Sequence, residues 1–240
     1  MMNDHNAAPL NPLPPVVWAL ALPMIVLEVI FSLADAHLIG GSQAIGWRTG
    51  AIEAYGLFPD YWRQKVAYGA YDFDLLRRFV TYPFFYISPT NAVFAVVILL
   101  AMGKFVGEVF KWWAVLAVFF AAAIVGGLFY VTFADKQPLF GAYPAVYGLI
   151  GAFSFLLWVR LAGTGTNQFR AFTLIGALLA FQLIFGLVFS VGAMWFSSLD
   201  GYGFGQTWIA ELPGFVTGFF LSFAVSPGGF GRVMARIRQR

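Results

Sequence analysis

Gly141-Ala142-Tyr143-Pro144-Ala145-Val146-Tyr147-Gly148-Leu149-Ile150-Gly151 is the stretch on which the reading of this chain turns. It opens as a loop and becomes an apolar helix packed by glycines. Pro144 has no amide hydrogen and suits the first turn of a helix, where that hydrogen would have no intrahelical acceptor. Further on, Gly214-Phe215-Val216-Thr217-Gly218 sets two glycines four apart in another apolar run. That spacing lets two membrane helices approach closely. The two stretches together predict a tight helix pair.

The composition around them fixes the class. Of the 240 residues, 60% are hydrophobic and only 10% charged, against roughly 25% charged in a soluble domain. Such a chain solvates itself in lipid, so the fold class is an all-α polytopic membrane protein. Aromatic residues make up 19%, with 28 Phe, a composition suited to lipid-facing surfaces and interfacial belts. There is no cysteine, which excludes disulfides, thiol nucleophiles and thiolate metal sites. The two histidines, His5 and His37, both precede the helical core, so no metal site is expected, and no cofactor. The net charge of +3 is no nucleic-acid footprint, because Arg232, Arg236, Arg238 and Arg240 crowd the last nine positions beside an apolar helix. They read as an anchor against anionic lipid.

Six spans are expected: Val16–Ala34, Thr90–Gly107, Ala114–Val131, Pro144–Val159, Phe172–Val191 and Trp208–Val225. They divide the chain into a disordered tail over 1–15, a membrane domain over 16–226 and a basic tail over 227–240. Pro23 predicts a kink in the first span. Glu28, a carboxyl inside that span, is either a functional group or one tied to a neighbouring helix. Residues 35–80 mix charges with rings (Trp47, Arg48, Tyr55, Tyr61, Trp62, Arg63), the signature of a segment in the interface plane. Gly103 and Gly107, and Ala122 and Gly126, mark further close helix contacts. Six spans put both ends on one side, with eight basic residues against Asp4 and Glu108, so both termini are expected in the cytoplasm of a bacterial inner membrane protein. The sequence sets no oligomeric state.

Across roughly residues 75–225 the chain resembles the rhomboid intramembrane proteases. Gly141, Tyr147 and Gly151 fall on the family's serine motif, and Gly214 and Gly218 on its span-six pattern. The resemblance implies a six-helix bundle with a large interfacial loop between spans one and two, and a Ser-His dyad joining spans four and six. Here the serine position is Tyr143 and the histidine position Glu211. The positions matching the oxyanion hole are Asn91 and Ala95, and two positions usually histidine in active members are Tyr82 and Tyr86. The tryptophan-arginine pair that ends the family's interfacial loop reads Arg77-Arg78, so only Arg78 matches.

Phenol ionises near about 10 and glutamic acid near about 4.3, so Glu211 would be a poor base for Tyr143. The paired replacement predicts instead a hydrogen bond of about 2.5–3.0 Å between them, tying span four to span six. The resemblance then implies a pseudoprotease that binds transmembrane client proteins through a lateral opening near Val96 and Phe185. The rival readings are an active rhomboid protease with non-standard residues, a small-molecule or proton carrier built on Glu28 and Glu211, and a structural subunit of a larger membrane complex. Ser88, Ser154, Ser190, Ser222 and Ser226 serve the first rival only beside a base. Gly201-Tyr-Gly-Phe-Gly205 lacks the lysine and strand context of a phosphate loop.

Overall fold

The computed structural model describes residues 12–44, 46–165, 167–178, 180 and 206–227. Most of the disordered tail expected over 1–15, the four C-terminal arginines, Phe185, Ser190, the glycine loop at 201–205 and most of the span expected over Phe172–Val191 lie outside those residues. The described elements are α1 (Pro15–Asp35), α2 (Trp47–Tyr55), α3 (Pro59–Ala67), α4 (Phe73–Thr81), α5 (Pro89–Gly107), α6 (Trp112–Phe133), α7 (Tyr143–Ala162) and α8 (Trp208–Val225). Among them α1, α5, α6, α7 and α8, of 18 to 22 residues, are long and apolar enough to cross a bilayer. At 1.5 Å per residue, about 20 residues match a hydrocarbon core of about 30 Å. Their limits lie within three residues of those expected. α1 runs through Pro23 without interruption.

Local chemistry sets the helix starts. Ser88 caps α5, its hydroxyl accepting the Asn91 N–H at 3.4 Å, and Pro89 follows at the first helical position. Asp72 caps α4 by accepting the Leu75 N–H at 2.9 Å. The segment expected at the interface folds into α2, α3 and α4. On α4, Leu75 and Phe79 turn inward while Phe73, Leu76 and Val80 stay exposed.

α7 is the central helix, with every residue from Pro144 to Ala152 buried. α8 runs beside it in the same direction. A Cβ added to Gly214 would stand 2.3 Å from the Pro144 carbonyl oxygen, and one on Gly218 would stand 1.8 Å from that of Gly148. From the other side, a Cβ on Gly151 would stand 2.1 Å from the Phe215 oxygen. Past the glycines the seam continues in rings, Phe155 lying 4.6 Å from Phe223 between centroids. α6 crosses in antiparallel sense, Ala122 against Gly148 and Gly126 against Pro144 and the Ala210 carbonyl. α1 and α5 form a second antiparallel pair, with Gly103 over Val17 and Gly107 over Pro14. Lipid offers apolar surface as readily as another helix does, so close backbone approach, and the dispersion it allows, is what holds such pairs.

The seam is testable through two alanines of opposite sign. Gly218→Ala forces α7 and α8 apart and is expected to destabilise the purified protein by about 1–3 kcal/mol or more. Gly50→Ala in α2, where an added Cβ meets nothing within 4 Å, is expected to stabilise by about 0.5–1 kcal/mol. Thermal unfolding in detergent should move the two midpoints in opposite directions.

Candidate functional site

The polar groups of the membrane core converge on the start of α7. Gly141 precedes the helix with φ +85°, a left-handed conformation that disfavours a side chain. A Cβ there would also press on the Tyr86 ring at 3.1 Å. The Gly141 N–H donates to the Tyr82 carbonyl at 3.0 Å. The Ala142 N–H donates to the Tyr86 hydroxyl at 3.3 Å, and that hydroxyl donates to Met24 Sδ at 3.5 Å. The Tyr82 hydroxyl donates to the Ala123 carbonyl of α6 at 2.9 Å. Tyr82 and Tyr86 are both almost wholly buried, and each phenol is satisfied, as a polar group at this depth must be.

Tyr143 and Glu211 do share one end of the bundle. Gly214 rests on Pro144, and Glu211, 2% exposed, lies three residues before Gly214 on α8. The expected hydrogen bond between them is not the one formed. The Tyr143 hydroxyl donates to the Asn91 carbonyl at 3.1 Å, tying α7 to α5 rather than to α8. The physical reason is the acceptor: a carbonyl in the first turn of α5 keeps a second lone pair after its helical bond, and it lies across the seam from the phenol. Asn91 therefore meets Tyr143 through its backbone. Ala95, one turn on, is fully buried in the core, as is Tyr147 at 3% exposure.

Two arginines of the interfacial segment are buried. Arg78, which the family pattern singles out, donates through Nη1 to the carbonyls of Glu53 at 2.8 Å and Gly56 at 2.9 Å. A cation at the C-terminal end of α2 meets the negative end of its dipole. Arg78 also lies 4.9 Å over the Tyr61 ring. Leu57, next after Gly56, exchanges backbone bonds of 3.0 and 2.8 Å with Leu139, two residues before Gly141. Arg48 is the residue that sequence reasoning missed. Its guanidinium grips both Glu28 oxygens at 2.8 Å, Asp35 at 2.9 Å and the Tyr86 carbonyl at 3.0 Å. The intramembrane Glu28 was the signal, since a carboxylate there calls for a cation. The spacing of Arg48 and Ile52 on the buried face of α2 names which one.

Of the candidate serines, the four among the described residues are otherwise engaged or sealed. Ser88 caps α5, and the Ser222 hydroxyl donates to the Gly218 carbonyl at 2.6 Å. The Ser154 and Ser226 hydroxyls are buried and have no hydrogen-bond partner among the described residues. Val96, expected at the lateral opening, is packed inside at 8% exposure, whereas its neighbour Val97 is 56% exposed with Val93 and Phe94. The outward face of α5 is thus one position away from the expected one.

Compared with known proteins, residues 74–228 match a family model, the rhomboid domain. No curated protein matches the chain.

The acidic partner of the Arg78 clamp makes it sensitive to pH. Asp74 is held below the usual carboxylate range, first by its hydrogen bond from Arg77 and also by Arg78. A depressed carboxyl contributes stability in full above its unfolded value of about 3.9 and loses it as pH falls through the lower folded value. The thermal midpoint should therefore drop below about pH 4, and the gap between the parent and Asp74→Asn should narrow over the same interval.

Proposed function

We propose, from the premise that this chain belongs to the rhomboid family, that it is a non-proteolytic member which binds transmembrane client segments. In the family's pattern the nucleophile lies at the start of the fourth span and the base in the sixth. The matching residues are Tyr143 and Glu211, and Asn91 and Ala95 stand for the oxyanion partners. Tyrosine is far bulkier than serine, and about six pKa units separate phenol from carboxyl, so the pair lacks both the space and the base that acyl transfer requires.

One observation carries the reading: the Ala142 N–H at the start of α7 is already bonded to the Tyr86 hydroxyl at 3.3 Å. An oxyanion needs free, preorganised donors at that place. Here one phenol takes the donor, and a second, Tyr143, is tied across to α5. The carrier reading loses its first station, because Glu28 is committed to Arg48.

The partners that fit are the lipid bilayer and an apolar client helix, laid along the exposed α5 face of Val93, Phe94 and Val97. No site for nucleic acid, metal or cofactor is part of this reading. The excess of basic residues on the side of both tails supports cytoplasmic termini in a bacterial inner membrane.

A fluorophosphonate probe should label no serine of the purified protein, and covalent labelling at any serine would revive the protease reading. A photoreactive residue at Val97, irradiated in native membranes, should give discrete protein adducts. Adducts with lipid alone would remove client binding.

A further inference from the structure

We propose that Arg48 is a positioning residue for the start of α7, acting through Tyr86. The inference goes beyond client binding and holds whatever the site does. Arg48 sits on the interfacial helix α2, 7% exposed. Three of its bonds go to carboxylates, two to Glu28 and one to Asp35, and the Ser32 hydroxyl supports Glu28 Oε1 at 2.9 Å. These would suffice to anchor α2 to α1. The remaining bond goes elsewhere, from Nη1 to the Tyr86 carbonyl at 3.0 Å.

Tyr86 is held at both ends. Its carbonyl is fixed by Arg48, and its hydroxyl takes the Ala142 N–H while donating to Met24. Its ring closes on Gly141, where a Cβ would have only 3.1 Å. The connection from α4 to α5 thereby acquires a set position relative to α1. That connection supplies both acceptors for the residues that open α7, the Tyr82 carbonyl for Gly141 and the Tyr86 hydroxyl for Ala142.

Burying an ion pair is often no more stabilising than apolar packing of the same volume, and fixing one arrangement among several is its better-attested use. A bidentate guanidinium–carboxylate pair has one favoured geometry. The third acceptor transmits that geometry to the start of α7. A displacement of α2 is then expected to release the Ala142 N–H, 56 residues from Tyr86 in sequence.

Hydrogen exchange on the full chain in nanodiscs tests this, with peptides covering 47–55, 139–147 and the middle of α6. Arg48→Gln should speed exchange of the Gly141 and Ala142 amides about tenfold or more, leaving the α6 peptide at the parental rate. Tyr86→Phe, which removes the Ala142 acceptor itself, should speed exchange of the Ala142 amide by a similar factor without loosening 47–55. The double variant should be no faster at Ala142 than Tyr86→Phe alone, and Arg48→Lys should restore part of the protection. Loosening confined to 47–55 in Arg48→Gln, or additive effects in the double variant, would overturn the proposal. Should Arg48→Gln not fold, Glu28→Gln weakens the same grip, and parental protection of 139–147 in that variant is equally decisive against it.

Discussion

Gly148 of α7 and Gly218 of α8 stand backbone to backbone, with no room for a methyl group between them. The rest of the molecule depends on that approach. It sets the distance between the two helices, brings Gly214 onto Pro144 and Ala210 onto Gly126, and so draws α6 into the same seam. In a bilayer nothing squeezes helices together the way water does, and contact area at short range has to supply the attraction. Small residues supply it by letting backbones meet, and the edge-on and tilted ring cluster of Phe155, Phe219 and Phe223 extends it past the glycines.

The phenols and charged groups around the start of α7 and in the interfacial segment answer a second constraint, that a polar group buried without a partner is costly. Around the start of α7 this is met with phenols: Tyr82, Tyr86 and Tyr143 donate hydrogen bonds to a backbone carbonyl, a thioether and another backbone carbonyl. The interfacial segment meets it with arginines, Arg78 closing the end of α2 and Arg48 the carboxylates of α1. The effect is an outer segment and a helix start locked to each other, with the Gly141 and Ala142 amides that lead into α7 occupied. In the family pattern that region carries the reacting groups, and its occupation by phenols underlies the client-binding proposal.

Where expectation and structure part, the cause is particular. Tyr143 and Glu211 were paired by their positions in a family pattern, and the two do come to one end of the bundle. The phenol nevertheless bonds to Asn91, because hydrogen-bond choice depends on the reach of a side chain and on which lone pairs face it. Val96 and Val97 differ by one step of about 100° around α5, and a hydropathy run holds no information on which of them faces out. Glu28 stood out as a carboxyl in an apolar run, yet its environment came from a segment whose own reading was only that it lies at the interface.

Class, span limits and the glycine seam were legible from the sequence itself. Hydropathy over about 20 residues reports directly on the length that lipid demands, and a missing Cβ is a local property that needs no neighbour to be seen. Tertiary structure alone decided the partners of the polar groups. Arg48 meets Glu28 across 20 residues of chain and Tyr143 meets Asn91 across 52. Bonds of about 3 Å between such distant points are set by how the helices pack in three dimensions, to a precision that spacing along the chain does not carry.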